Sequence, residues 1–258
     1  MDLRLKFNED VLNYDKMRPT YVKELFHDVI QFSNLNNSKQ ALEIGIGTGQ
    51  ATLPFLETGC KVMAIELGES LAKFSADKFS GFANFNVINH DFESVALDHN
   101  HYDLVYSATA FHWIPQEIGY PKVYQLLRSG GVLALFWNRP FPAREEGLHT
   151  AMQKAYDKYA ALFKKPVLAH RHSEENGLEL VNIIERYGFI DVSFKLYHRT
   201  RTFDANSYIS LLNTYSDHRS LQEDKRILLE KEIIEAINHY GGQIDLHDTI
   251  ELFLARKP

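Results

Sequence analysis

The residues best placed to do chemistry begin at Glu43-Ile44-Gly45-Ile46-Gly47-Thr48-Gly49-Gln50, which leaves a short apolar run and opens a helix-like segment. Glycines in such a turn accept positive φ and let a ligand approach the backbone, while free N–H groups at a helix start favour a carboxylate or phosphate. The spacing is G-x-G-x-G. A dinucleotide fingerprint puts its third glycine one residue later, where this chain has Gln50, and that tilts the loop away from NAD. Glu66 ends the next apolar run, where a carboxylate can accept both hydroxyl hydrogens of a ribose or, alternatively, cap the following helix. Asp91-Phe92 ends the third run. Asp91 there either accepts from an adenine amino group, with Phe92 against the ring, or simply forms a turn. Three successive strand ends carrying a glycine loop, an acid and an acid are hard to attribute to coincidence.

A second group follows the fourth apolar run, in Ser107-Ala108-Thr109-Ala110-Phe111-His112-Trp113. His112 is the general-base candidate, because an unperturbed imidazole titrates near neutrality, although a lone histidine is often structural. Trp113 either walls the site or fills the core. Further on, Thr214-Tyr215-Ser216-Asp217-His218-Arg219 is a polar and aromatic cluster at a helix end. Its Tyr215, His218 and Arg219 suit a substrate pocket, and a solvent-exposed loop would look the same. His170-x-His172 with Glu174 invites a metal reading, but no further His or Cys nearby completes a ligand set and no HExxH occurs, so no metal is expected. No N/D-P-P-Y motif of the kind used on nucleobase amino groups follows the fourth run, and no basic cluster interleaved with aromatics marks a polynucleotide track.

The elements that must position these residues alternate between short apolar runs and helical periodicity, the pattern of an α/β sheet. Strands are expected at Gln40–Ile44, Lys61–Ile65, Asn84–Asn89, Tyr102–Ser107 and Gly131–Trp137, with helices at Gln50–Leu56, Ser70–Lys78 and Ile118–Arg128, the last ended by Gly130-Gly131. Tyr21–Phe32 reads as a helix ahead of the sheet, entered through Pro19-Thr20. Asn138–Pro142 reads as a loop because of its two prolines. Helices then follow at Gly147–Phe163 and Leu178–Tyr187, and strands at Asp191–Arg201 and Ile244–Ala255. Helical periodicity at Ser207–Tyr215 and Leu221–His239 lies between those two strands, a candidate cap ended by Gly241-Gly242. The chain has 258 residues, a formal charge of −6, 45% hydrophobic residues and one cysteine, Cys60. That balance excludes disorder, and one cysteine excludes an intrachain disulfide scaffold. No apolar run approaches the ~18 residues that suggest a membrane span, and MDLRLKFNED lacks a signal-peptide core. A soluble, cytoplasmic protein with no nucleic-acid or membrane partner is expected.

Taken together, ALEIGIGTGQAT, AIELGESL, NHDFESV, YDLVYSATAFHW and LLRSGGVLALFWN resemble the class I, Rossmann-like S-adenosylmethionine-dependent methyltransferases. The resemblance covers essentially the whole chain and is strongest from Ala41 to Asn138. It implies a doubly wound, seven-stranded, mostly parallel sheet with a final antiparallel strand, and a helical cap inserted between the last two strands. It implies one domain over residues 1–258, with a cofactor-binding core at 35–140, an N-terminal cover at 1–34 and a cap at 204–241. Glu43, Gly45, Gly47 and Gly49 would hold the methionine part of S-adenosylmethionine, Glu66 the ribose and Leu67 the adenine, with Asp91 and Phe92 also at the adenine; S-adenosylhomocysteine would be the product. Tyr14-Asp15-Lys16-Met17-Arg18-Pro19-x-Tyr21 looks like the N-terminal element of a small-molecule subgroup related to trans-aconitate methyltransferase. In that subgroup Tyr14 and Arg18 would meet the cofactor carboxylate or an acidic substrate, unless the arm merely packs on the sheet. The implied reaction is methyl transfer to a small-molecule carboxylate or hydroxyl. Two rivals remain: an NAD-dependent oxidoreductase on a related fold, and a non-catalytic S-adenosylmethionine-binding protein.

Overall fold

The computed structural model describes residues 10–142, 146–160 and 174–258. Seven strands form one sheet in the order β3-β2-β1-β4-β5-β7-β6: β1 Gln40–Ile44, β2 Lys61–Glu66, β3 Phe85–Asn89, β4 Tyr102–Ala108, β5 Leu127–Pro142, β6 Ile190–Asp204 and β7 Gln243–Arg256. β1 pairs in parallel with β2 and β4, β2 with β3, and β4 with β5. β7 runs the other way. Gly130 N–H donates to Lys257 O and Lys257 N–H to Gly131 O, so the start of β5 meets the end of β7. β2 and β4 flank β1, which makes the carboxyl ends of β1 and β4 the topological switch point where open α/β sheets bind ligands. The expected sheet is thus the observed one.

The helices are α1 Val11–Met17, α2 Lys23–Ser33, α3 Leu53–Leu56, α4 Glu69–Lys78, α5 Gln116–Leu126, α6 Glu146–Tyr159, α7 Glu174–Arg186, α8 Ala205–Leu212, α9 Ser216–Arg219 and α10 Glu223–His239. Several differ from the periodicity reading. α1 had no expected counterpart. α2 is entered at Val22, without a side-chain cap, instead of at Pro19-Thr20. α3 is short because residues 50–52 form a turn, with the Thr52 hydroxyl spent on Glu43. α5 stops at Leu126, since Leu127 already pairs with Tyr102. Gly130-Gly131 does not end that helix. It lies in β5, where the register slips between Tyr102↔Leu127 and Leu104↔Val132, and Gly130 takes a φ of +75°. The expected loop at Asn138–Pro142 is instead the end of β5. The β4 register ends at Ala108↔Phe136, so beyond that pair β5 has no β4 partner and a proline there breaks no bond to it. His170 and His172 lie outside the described residues.

The described residues divide into two compact units. One falls within Pro19–Asn138, Ser173–Tyr197 and Ile250–Pro258. Its core has two apolar layers, one with Leu25, Phe55, Tyr106 and Phe136, the other with Leu42, Val105, Leu133 and Phe253. Both are full because β4 and β5 are buried along nearly their whole central length, as strands covered on both faces must be. The other unit falls within Met1–Arg18, Arg139–His172 and His198–Thr249. There Leu148 and Met152 of α6, Leu211 of α8, Ile233 and Ile237 of α10 and Leu246 of β7 form a separate core.

Candidate cofactor and acceptor site

The glycine loop leaves β1 with its backbone still tied to the sheet: Gly45 N–H donates to Ile65 O at 2.8 Å. Gly45, Gly47 and Gly49 all have positive φ, at +72°, +60° and +81°. A Cβ on Gly45 would lie 2.5 Å from the Ala110 Cβ, an atom that cannot swing aside. The loop therefore touches the turn that follows β4, and only glycine permits it. Gly45→Ala combines left-handed strain with overpacking and is expected to lower stability by about 2–4 kcal/mol. A denaturation midpoint equal to wild type would show that the loop and the turn can separate freely.

Two buried carboxylates flank this loop. Glu43 is 1% exposed, and its Oε2 accepts from Thr52 Oγ1 at 2.7 Å and Tyr106 OH at 2.8 Å. Burial pushes its pKa up to about 8 despite those two donors, and the nearby Glu66 charge adds to the rise. Glu66 Oε2 accepts from Gly47 N–H at 2.8 Å and Oε1 from Gly68 N–H at 2.9 Å, so this side chain joins the glycine loop to the turn after β2. Burial raises its pKa too, with the Gly68 and Gly47 amides opposing. Each Glu66 oxygen has a further lone pair for a hydroxyl donor. Leu67 follows, half-buried. Asn89, which the motif reading passed over, donates to Glu66 O at 2.8 Å and Leu67 O at 2.9 Å and pins that turn. Its position, aligned with Glu66 on the neighbouring strand, was the available signal.

At the end of β3 the turn alternative has support. Asp91 accepts from Ser94 N at 2.8 Å and from Ser94 Oγ at 2.6 Å, and those bonds hold its carboxyl below the usual range. Phe92 is buried in the layer that holds Leu42 and Val105.

β4 ends in a kink. Thr109 has a φ of +56°, rare for a β-branched residue and worth about 1–3 kcal/mol of strain. Its N–H still donates to Phe136 O at 2.8 Å, while its hydroxyl lies 2.6 Å from Tyr21 OH and accepts from Asn138 N–H at 3.3 Å. A short 3-10 turn, Phe111–Trp113, then carries His112 exposed and Trp113 half-buried. The Trp137 indole N–H donates to His112 Nδ1 at 3.1 Å. An indole nitrogen only donates, so Nδ1 is the acceptor and neutral His112 carries its proton on Nε2.

The remaining candidates gather in the other unit. The Arg18 guanidinium lies 5.0 Å from the Tyr14 ring centre and 4.5 Å from that of Tyr215, and it donates to Thr214 O at 2.7 Å. His218 is buried, with Nε2 3.2 Å from Tyr156 OH, and Arg219 lies 4.0 Å from Asp10. The N-terminal arm and the α8–α9 region thus form one cluster of a guanidinium between aromatic rings. Among the described residues, no group of three or more His, Cys, Asp or Glu could hold a metal ion, and no helix is long and apolar enough to cross a membrane.

Residues 42–135 match the family model described as a methyltransferase domain. An uncharacterized methyltransferase of Mycobacterium tuberculosis is 31% identical over 138 residues, covering 53% of this chain and 54% of that protein. The chain thus spans about half the length of that relative. An uncharacterized methyltransferase of Schizosaccharomyces pombe is 22% identical over 232 residues, covering 90% of this chain and 86% of that protein. Phosphoethanolamine N-methyltransferase 2 of Haemonchus contortus, solved with phosphomonomethylethanolamine and S-adenosylhomocysteine, has a similar fold, with a TM-score of 0.59 at 13% identity over 100% of this chain and 60% of that one. The matched segment, residues 42–135, holds the glycine loop and belongs to a sheet of this order, so the similarity to methyltransferases falls on the part of the chain that carries the loop.

Proposed function

We propose that this chain transfers a methyl group from S-adenosylmethionine to a small-molecule acceptor, with a carboxylate favoured over a hydroxyl. The observation that carries the cofactor reading is the pair of buried carboxylates, Glu43 and Glu66, beside the glycine loop. A cofactor with a sulfonium and an ammonium favours the ionised form of these buried carboxyls and is attracted to it, whereas the anionic pyrophosphate of NAD would favour their neutral form and gain no such attraction. The residues present therefore fit the cofactor. Glu43 with Gly45, Gly47 and Gly49 would hold its amino-acid end, Glu66 its ribose and Leu67 its adenine. Asp91 and Phe92 would shape the adenine end through the turn and the core layer they build.

When bound, the cofactor supplies a methyl group already activated by its sulfonium, and S-adenosylhomocysteine remains after transfer. The protein's own share is then alignment, and well-oriented proximity supplies ~7–11 kcal/mol of barrier reduction. A carboxylate acceptor is ionised at pH 7 and needs no base. This suits His112, whose Nδ1 lone pair already accepts the Trp137 N–H. We assign His112 and Trp113 to the acceptor side of the domain. The Tyr14–Arg18–Tyr215 cluster, with His218 and Arg219, is the proposed recognition element for an acidic acceptor, in keeping with a subgroup related to trans-aconitate methyltransferase. In this reading residues 1–258 are one methyltransferase domain with its core at 35–140, a cover at 1–34 and a cap at 204–241.

The test has two stages. Calorimetry with S-adenosylmethionine, S-adenosylhomocysteine and NAD is expected to show binding of the first two only; NAD binding alone would overturn the cofactor reading. A methyl-labelled donor is then offered to panels of small carboxylic acids, alcohols and amines and to an oligoribonucleotide. Label in the acid panel is expected, and label only in the oligoribonucleotide would sink the small-molecule assignment.

A further inference from the structure

Within the unit that carries the glycine loop, one hydrogen-bonded group concentrates two unfavourable features that packing alone does not require. Thr109 is β-branched yet left-handed, at a φ of +56°. Asn138, whose N–H bonds the Thr109 hydroxyl, buries its side-chain Oδ1 without a hydrogen-bond partner. Strain and an unmatched buried acceptor at one point are the marks of a functional position. The location agrees, because Thr109 follows β4 at the topological switch point and the next residue, Ala110, abuts Gly45.

The connections of Thr109 run in three directions. Its N–H extends the ladder to β5 through Phe136 O. Its hydroxyl is shared with Tyr21, whose ring packs edge-on against Phe136 at 4.8 Å. Its kinked backbone launches the Phe111–Trp113 turn, which brings His112 Nδ1 to the Trp137 indole. One residue, through its backbone and its hydroxyl, thereby ties the segment before α2, the end of β5 and the turn bearing His112 into one arrangement beside the glycine loop.

We propose that Thr109 is a positioning residue for methyl transfer: its left-handed backbone and its hydroxyl, held by Tyr21 and Asn138, set the place of the His112 turn relative to the glycine loop. This rests on the methyltransferase reading above. A valine at position 109 keeps the branched shape and loses the hydroxyl, and a serine keeps the hydroxyl and loses the branch. Tyr21→Phe removes the partner alone.

The experiment compares Thr109→Val, Thr109→Ser and Tyr21→Phe with the wild-type protein in three measurements. Thr109→Val and Tyr21→Phe are expected to lower kcat at least tenfold, with S-adenosylmethionine affinity within twofold of wild type, and Thr109→Ser to recover kcat to within threefold. In the 1H–15N spectrum of the ligand-free protein, the Trp137 indole signal, one of two in the chain, is expected to shift in Thr109→Val and Tyr21→Phe and to stay near its wild-type position in Thr109→Ser. Wild-type kcat in Thr109→Val overturns the proposal. So does an equal loss in the valine and serine variants that follows their melting temperatures, because that marks a purely structural residue. If the wild-type protein labels no acceptor, the methyltransferase reading fails by itself. The indole signal then decides whether Thr109 sets the turn: an unmoved signal in Thr109→Val rejects that role.

Discussion

Glu43→Gln is expected to stabilise the ligand-free protein at pH 9 while weakening S-adenosylmethionine binding at least tenfold. Burial raises the Glu43 pKa to about 8, against an ordinary value of 4.5. A group whose pKa rises on folding favours the folded state fully below its unfolded value, and that contribution is lost as pH climbs through the folded value. Between pH 4.5 and about 8, the unfolded chain ionises this carboxyl while the folded chain does not. By pH 9 the wild type carries a penalty of a few kcal/mol, because each pH unit between the unfolded and folded values costs about 1.4 kcal/mol. Glutamine keeps the shape, still accepts from Thr52 and Tyr106, and has no such dependence. The stability gap between variant and wild type therefore widens from pH 5 to pH 9 in urea unfolding. An equal gap at both pH values would mean that Glu43 does not titrate in this range.

In the proposed cofactor site the same carboxylate is expected to link capture to pH. A cationic ligand favours ionised Glu43, so binding releases a proton below about pH 8 and affinity rises with pH up to that value before levelling. Calorimetry of the wild type at pH 6.5 and 8.5, in buffers of different ionisation enthalpy, reads both the slope and the proton. Glu43→Gln removes this contribution.

The second large effect lies in the other unit. Asp248 is fully buried and accepts from Arg199 NH2 at 2.9 Å, from Arg201 Nε at 2.6 Å and, through its other oxygen, from Arg201 NH2 at 2.8 Å. Asp248→Ala leaves two largely buried guanidinium groups without their shared carboxylate and is expected to lower stability by about 3–5 kcal/mol. Replacing Asp248 together with both arginines by apolar residues is expected to be much milder, since no charge is then stranded. A loss below about 1 kcal/mol in Asp248→Ala would mean that solvent screens this triad as it screens surface pairs. Tyr215 feels the charges of Arg18, Arg201 and Asp248, so the same variant perturbs the proposed recognition cluster.

Local spacing determined a good deal by itself. Glu43, the three glycines and Glu66 were legible because each sits at a fixed offset from the end of an apolar run, and strand periodicity places run ends within a residue or two. The alternation of elements also specified an α/β sheet. The β5 extension through Pro140 and Pro142 was not legible, because whether a proline is tolerated depends on which neighbour strand has already ended. Register and strand order put Tyr106 on Glu43, Asn89 on the Glu66 turn and Asp248 between Arg199 and Arg201, while the folding of the loop after β1 and of the segment before α2 puts Thr52 on Glu43 and Tyr21 on Thr109. The chemistry of His112 changed most. The sequence offered an imidazole that could serve as a base, whereas the fold brings Trp137 to Nδ1 and so chooses its tautomer. Periodicity acts over a few residues and reads as sequence. A hydrogen bond between residues 25 or 88 positions apart exists only once the strands between them have paired.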